Sequence, residues 1–186
     1  MRSSFGAGLV RVLGVDPGLT RCGLAIVEAS PGSRGELIYV EVASTDSKLD
    51  PSDRLFEIAQ RITWVLDNFS PQAVSLERLF AQQNLRTVMG VAQVSGVVML
   101  SARERNIPVS TYTPTAVKSS VTGSGRSDKK QVSKMVKELL NLEEIPKPAD
   151  AADAIALALC HAWRVPNQKV SSDPFRQRKV PKVKRT

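Results

Sequence analysis

The chain has 186 residues, of which 42% are hydrophobic and 24% charged, an ordinary globular balance with room for one full core. Two cysteines exclude a disulfide scaffold, and no apolar run approaches the ~20 residues that a bilayer-spanning helix needs. The net charge of +8 is unevenly placed: from Arg164 onward there are eight Lys and Arg against one acid, which leaves residues 1–163 near +1.

The sequence therefore divides into a near-neutral globular part, 1–165, and a basic tail, 166–186. The tail suits a polyanion such as nucleic acid, or serves only as a solubilising end. The residues before Val10 look like an N-terminal extension and carry no signal-peptide pattern, so a cytoplasmic protein without a membrane segment is expected.

Residues 9–16, LVRVLGVD, alternate and stop at Pro17-Gly18, which predicts a strand. Residues 22–29 predict a second strand, Pro31-Gly32-Ser33 a hairpin connection, and residues 36–43 a third strand. Three strands without helical sequence between them predict an antiparallel meander. The period then changes. Asp50-Pro51-Ser52-Asp53 opens a helix with Leu55, Ile58, Ile62, Val65 and Leu66 at helical spacing, ended by Pro71.

Residues 73–77 predict a short strand and about 85–105 a long helix. Within 91–102 only Gln93, Ser95 and Ser101 are polar, so this helix needs cover on more than one face, from one large core or from a second subunit. Residues 107–112 predict a strand, Thr113-Pro114 the start of a short helix holding Lys118, and 122–127 a polar loop. A basic amphipathic helix over about 128–140 and an Ala-rich helix over 150–163 follow. The order βββαβαβααα predicts an α/β fold, a mixed five-stranded sheet flanked by helices.

Four acids stand where acids are costly. Asp16 and Glu77 each end an apolar strand, and Asp150 and Asp153 lie three apart on one helix face that continues through Leu157 and His161. Buried carboxylates cost several kcal/mol each unless paired or bound to metal. If the four converge, their all-oxygen donor set suits Mg²⁺ or Mn²⁺ rather than zinc, and two such ions support an in-line phosphoryl displacement. Three of the acids also have a plainer reading: a turn former at Asp16, a helix N-cap at Asp150, dipole compensation at Asp153. No phosphate-loop, dinucleotide or zinc-protease motif competes.

Three segments carry a resemblance. Val15-Asp16-Pro17-Gly18-Leu19-Thr20-Arg21-Cys22-Gly23, Leu76-Glu77-Arg78-Leu79-Phe80 and Pro148-Ala149-Asp150-Ala151-Ala152-Asp153-Ala154 resemble the acidic motifs of the RuvC family of bacterial Holliday junction resolvases. Thr87-Val88-Met89-Gly90, with Gln93 and Gly96, is similar to that family's long central helix, and the resemblance runs from about residue 10 to 165.

The resemblance implies a ribonuclease-H-like fold and a homodimer that nicks two like-polarity strands of a four-way DNA junction, in recombination and repair. It implies two Mg²⁺ per active site, replaceable by Mn²⁺, on Asp16, Glu77, Asp150 and Asp153. It also implies DNA contacts at Phe80, Lys118 and Lys129, and the RuvA–RuvB branch-migration complex as a partner. His161 is expected to be a packed core histidine, and Cys22 and Cys160 structural. The competing expectations are another ribonuclease-H-like nuclease, acting on RNA ends or other branched DNA, and a nonenzymatic nucleic-acid binder.

Overall fold

The computed structural model describes residues 8–78 and 85–164. Strands β1 (Val10–Asp16), β2 (Arg21–Ala29) and β3 (Glu36–Ser44) form the expected meander, followed by α1 (Pro51–Phe69), β4 (Ala73–Glu77), α2 (Leu85–Glu104), β5 (Val109–Tyr112), α3 (Pro114–Thr122), α4 (Lys129–Leu139) and α5 (Ala149–Ala162). The sheet order is β3-β2-β1-β4-β5, antiparallel through the meander and parallel from β1 to β4 to β5.

Local chemistry sets the boundaries. In the hairpin, Pro31 and Gly32 occupy the centre of a turn; Gly32 takes φ +74°, and Ser33 N–H donates to the Ser30 carbonyl. Helix α1 stops at Ser70, a left-handed cap whose N–H donates to the Leu66 carbonyl, just before Pro71. Helix α5 begins one residue earlier than expected, with Pro148 as its N-cap, so Asp150 lies in the first turn and is not the cap. Strand β5 begins at Val109, because Ile107 N–H instead turns back to the Ala102 carbonyl at the end of α2.

Strand alternation gives the sheet two apolar faces. Leu13, Val15, Leu24, Ile26, Val74 and Leu76 face α1 and α2. Val12, Ala25 and Val27 face α5, which is backed by α3 and α4. At two positions α5 runs so close to the sheet that no side chain fits. A Cβ on Gly14 would overlap the Ala154 carbonyl, and one on Gly23 the Asp150 carbonyl.

Helix α2 buries Val94, Val98 and Ala102 fully. Its other side stays open within one chain, where Leu100 is 62% and Met89 56% exposed. The cover expected for that face does not come from this chain's described residues. Among them, no helix is long and apolar enough to cross a membrane.

Candidate active site

The face shared by Val12 and Gly14 on β1 brings Asp16 to the α5 side of the sheet. On β4 the same alternation turns Ser75 toward α5, where its hydroxyl donates to the Leu157 carbonyl, and so assigns Glu77 to that side. Parallel pairing sets Val15 opposite Leu76, so Asp16 and Glu77 leave the carboxyl ends of adjacent strands at one level. Asp150 and Asp153 come down on them from the first turns of α5, held close by the glycines at 14 and 23.

Asp16, Glu77 and Asp153 line one cleft, with Lys118 of α3 and Lys129 of α4 on its wall and Val117, Val132 and Leu157 in its lining. All four acids are half-buried, neither solvated nor sunk in the core. The electrostatic cost is concentrated on Asp16. Burial, and then the charges of Glu77, Asp153 and Asp150, push its carboxyl up to about 7, while Lys129 pulls it down. Burial and Asp153 raise Glu77 as well, again opposed by Lys129.

Two of the acids have cationic partners that lie far from them in sequence. Lys129 Nζ lies 2.9 Å from Asp153 Oδ2, and Arg21 Nε lies 3.2 Å from Asp150 Oδ2. Arg21 was missed, although its place two residues before Gly23 assigns it to the face of β2 turned to α5. Phe80 lies outside the described residues.

His161, two turns beyond Asp153 on α5, is buried; its Nδ1 is 2.8 Å from the Tyr112 hydroxyl, and burial lowers its pKa. It is a core histidine, as expected. Cys22 and Cys160 are free and buried, and burial pushes the Cys22 thiol up to about 12.

The donor set is carboxylate oxygen alone, which suits hard divalent cations. Asp16's upward shift comes first from burial and then from three neighbouring carboxylates that Lys129 only partly offsets, an environment that a bound cation would relieve. Among the described residues, however, no three acidic, His or Cys side chains stand at metal-ligating spacing. Asp150 and Asp153 instead engage Arg21 and Lys129.

A mixed sheet in this order, with acids at the ends of its central parallel strands and on the helix crossing them, defines a nuclease of the ribonuclease-H-like class. The family model "Crossover junction endodeoxyribonuclease RuvC" matches residues 12–161, and the chain belongs to that family.

The chain is 55% identical over 159 residues to the crossover junction endodeoxyribonuclease RuvC of Streptomyces griseus, covering 86% of this chain and 78% of that one. It is 53% identical over 157 residues to the RuvC of a Parafrankia strain, covering 84% and 88%. Among solved structures, Thermus thermophilus RuvC in complex with a Holliday junction substrate superposes with a TM-score of 0.78 at 36% identity, covering 83% of this chain and 93% of that one.

Proposed function

We propose that this chain cuts four-way (Holliday) DNA junctions by paired nicks in two strands of like polarity, as a homodimer with one active site per subunit. The observation that carries this reading is the single cleft where Asp16, Glu77 and Asp153 meet Lys118 and Lys129, in a chain of the crossover junction endonuclease family.

Asp16, Glu77, Asp150 and Asp153 would hold a pair of Mg²⁺ ions, or Mn²⁺ in their place. Such a pair supplies water activation and charge neutralisation at the departing 3′-oxygen. The chain's own groups provide the rest. Asp16 is the acid most in need of a cation, because burial and then three other carboxylates raise its proton affinity. Lys129 offsets the negative charge of the cleft while a phosphodiester enters, and Lys118 offers a second positive charge on the same wall.

Phe80 follows Glu77 closely in sequence and would stack on an unpaired base at the junction centre, worth ~1–3 kcal/mol. Two strands cut in register need two sites, and the open apolar side of α2 supplies a surface for an isologous pair. The family resemblance adds the RuvA–RuvB complex as partner and the cytoplasm as the place of action.

The deciding experiment compares a mobile four-way junction with linear duplex, in Mg²⁺ and in EDTA. Paired symmetric nicks on the junction in Mg²⁺ alone are expected, with binding retained in EDTA. Binding without incision in Mg²⁺ would overturn the nuclease reading. Preferential cutting of duplex or RNA would overturn the substrate.

A further inference from the structure

We propose that Arg21 grips a backbone phosphate of the strand being cut, beside the reacting one, with Asp150 as the brace that aims it. The inference rests on the junction nuclease reading and extends it to a residue on the opposite flank of the cleft from the two lysines.

The position follows from the sheet. Arg21 opens β2, two residues before Gly23, and Gly23 pairs with Asp16 while facing the Asp150 carbonyl. Alternation therefore turns the Arg21 side chain to the α5 face, next to the acidic site. In the sheet order β2 flanks β1 on one side, and β4, carrying Glu77, flanks it on the other. Lys118 and Lys129 share their cleft with Glu77, so the cations stand on both sides of Asp16.

The chemistry of the pair points outward. Nε of Arg21 engages Asp150 Oδ2 at 3.2 Å, while the side chain remains 60% exposed. Among the described residues no other hydrogen bond or ion pair to Arg21 occurs, which leaves its two Nη groups without a partner there. A guanidinium has five donors in a rigid fork, and one edge held by a carboxylate leaves the other presented to a phosphate.

A structural ion pair alone explains this arrangement poorly. An exposed pair adds little stability, yet here it places a cation at the mouth of a four-carboxylate site that repels a polyanion. A phosphate on Arg21 offsets that repulsion beside Asp150, which among the described residues forms its ion pair with Arg21 and not with either lysine.

The test uses the full chain and its Arg21→Gln and Arg21→Lys variants, with thermal unfolding to show that the exposed substitution leaves the fold intact. Binding to a four-way junction and to linear duplex is measured in EDTA over a salt series, and Mg²⁺ is titrated in single-turnover cleavage. Arg21→Gln is expected to weaken junction binding at least tenfold and to reduce the slope of log affinity against log salt by about 1.8, as for two lost phosphate contacts, one in each subunit of the dimer. Arg21→Lys keeps the slope and loses part of the affinity, because a point charge replaces the fork.

Unchanged affinity and slope in Arg21→Gln would overturn the proposal. If that variant only required more Mg²⁺, Arg21 would be a positioning residue acting through Asp150, and the phosphate grip would again be wrong. A parent protein that preferred duplex to junction would instead overturn the junction reading alone, since the Arg21→Gln loss is then read on duplex.

Discussion

The Ser75 hydroxyl donates a 2.7 Å hydrogen bond to the Leu157 carbonyl and so joins the strand that carries Glu77 to the helix that carries Asp153. The bond is fully buried, between elements 82 residues apart in sequence. It crosses the sheet–helix seam directly below the acidic cleft, where any sliding of α5 changes the spacing of the carboxylates.

We predict that Ser75→Ala lowers stability by about 1 kcal/mol, the net worth of a neutral hydrogen bond whose acceptor keeps its helical partner. Cleavage should fall through a weaker response to Mg²⁺, with junction binding in EDTA unchanged. Urea unfolding and Mg²⁺ titration test this. Wild-type stability in the variant would show that the bond holds nothing.

The half-buried Asp16 carboxylate should cost stability when ionised. Asp16 has a folded-state value of about 7 against 3.8 for the free side chain, so the folded protein holds that proton more tightly than the unfolded chain does. Its contribution therefore worsens progressively between about pH 4 and pH 7.

We predict that Asp16→Asn abolishes Mg²⁺-dependent incision and leaves junction binding intact. In EDTA the same variant should be more stable than the parent, by roughly 2–4 kcal/mol at pH 8, with a gain that shrinks as the pH falls toward 4. Denaturation at the two pH values decides the matter: an equal effect at both would remove Asp16's ionisation as the cause.

Leu100 tests the subunit seam, because at 62% exposure in the single chain its replacement leaves the fold's own core untouched. Leu100→Glu is expected to change monomer stability by no more than about 0.5 kcal/mol, as for surface sites in general. It should convert a dimer to a monomer in sedimentation velocity and turn paired nicking into slow, independent single nicks. A variant that still sediments as a dimer would move the seam away from this side of α2.

The charge concentrated after residue 165 gives a prediction that depends on electrostatics alone. Deleting residues 166–186 should weaken DNA binding and flatten its salt dependence, without altering the preference for junction over duplex. An unchanged salt slope would assign the tail no contact with DNA.

The elements themselves were legible because each was written in local chemistry. The meander follows from alternating apolar residues broken at Pro17-Gly18 and Pro31-Gly32, and the helices from spacing such as Ile58, Ile62, Val65 and Leu66. Where a boundary moved, a specific backbone bond was responsible, as with Ile107 turning back to Ala102 at the expense of β5. The four acids also stood out in sequence, since each interrupts or faces an apolar run.

Sequence by itself thus determined the order of strands and helices, the uneven charge and the four acids that stand out against their apolar surroundings. Tertiary structure decided which cation meets which acid. Arg21 reaches Asp150 and Lys129 reaches Asp153 across 129 and 24 residues of chain, pairings set by the β1–β2 register and by the packing of α4 on α5. It also decided how closely α5 lies on the sheet, because a side chain at Gly14 or Gly23 would collide with the Ala154 or Asp150 carbonyl. Periodicity specifies the face on which a residue lies; contact across faces depends on distances that only the packed chain defines.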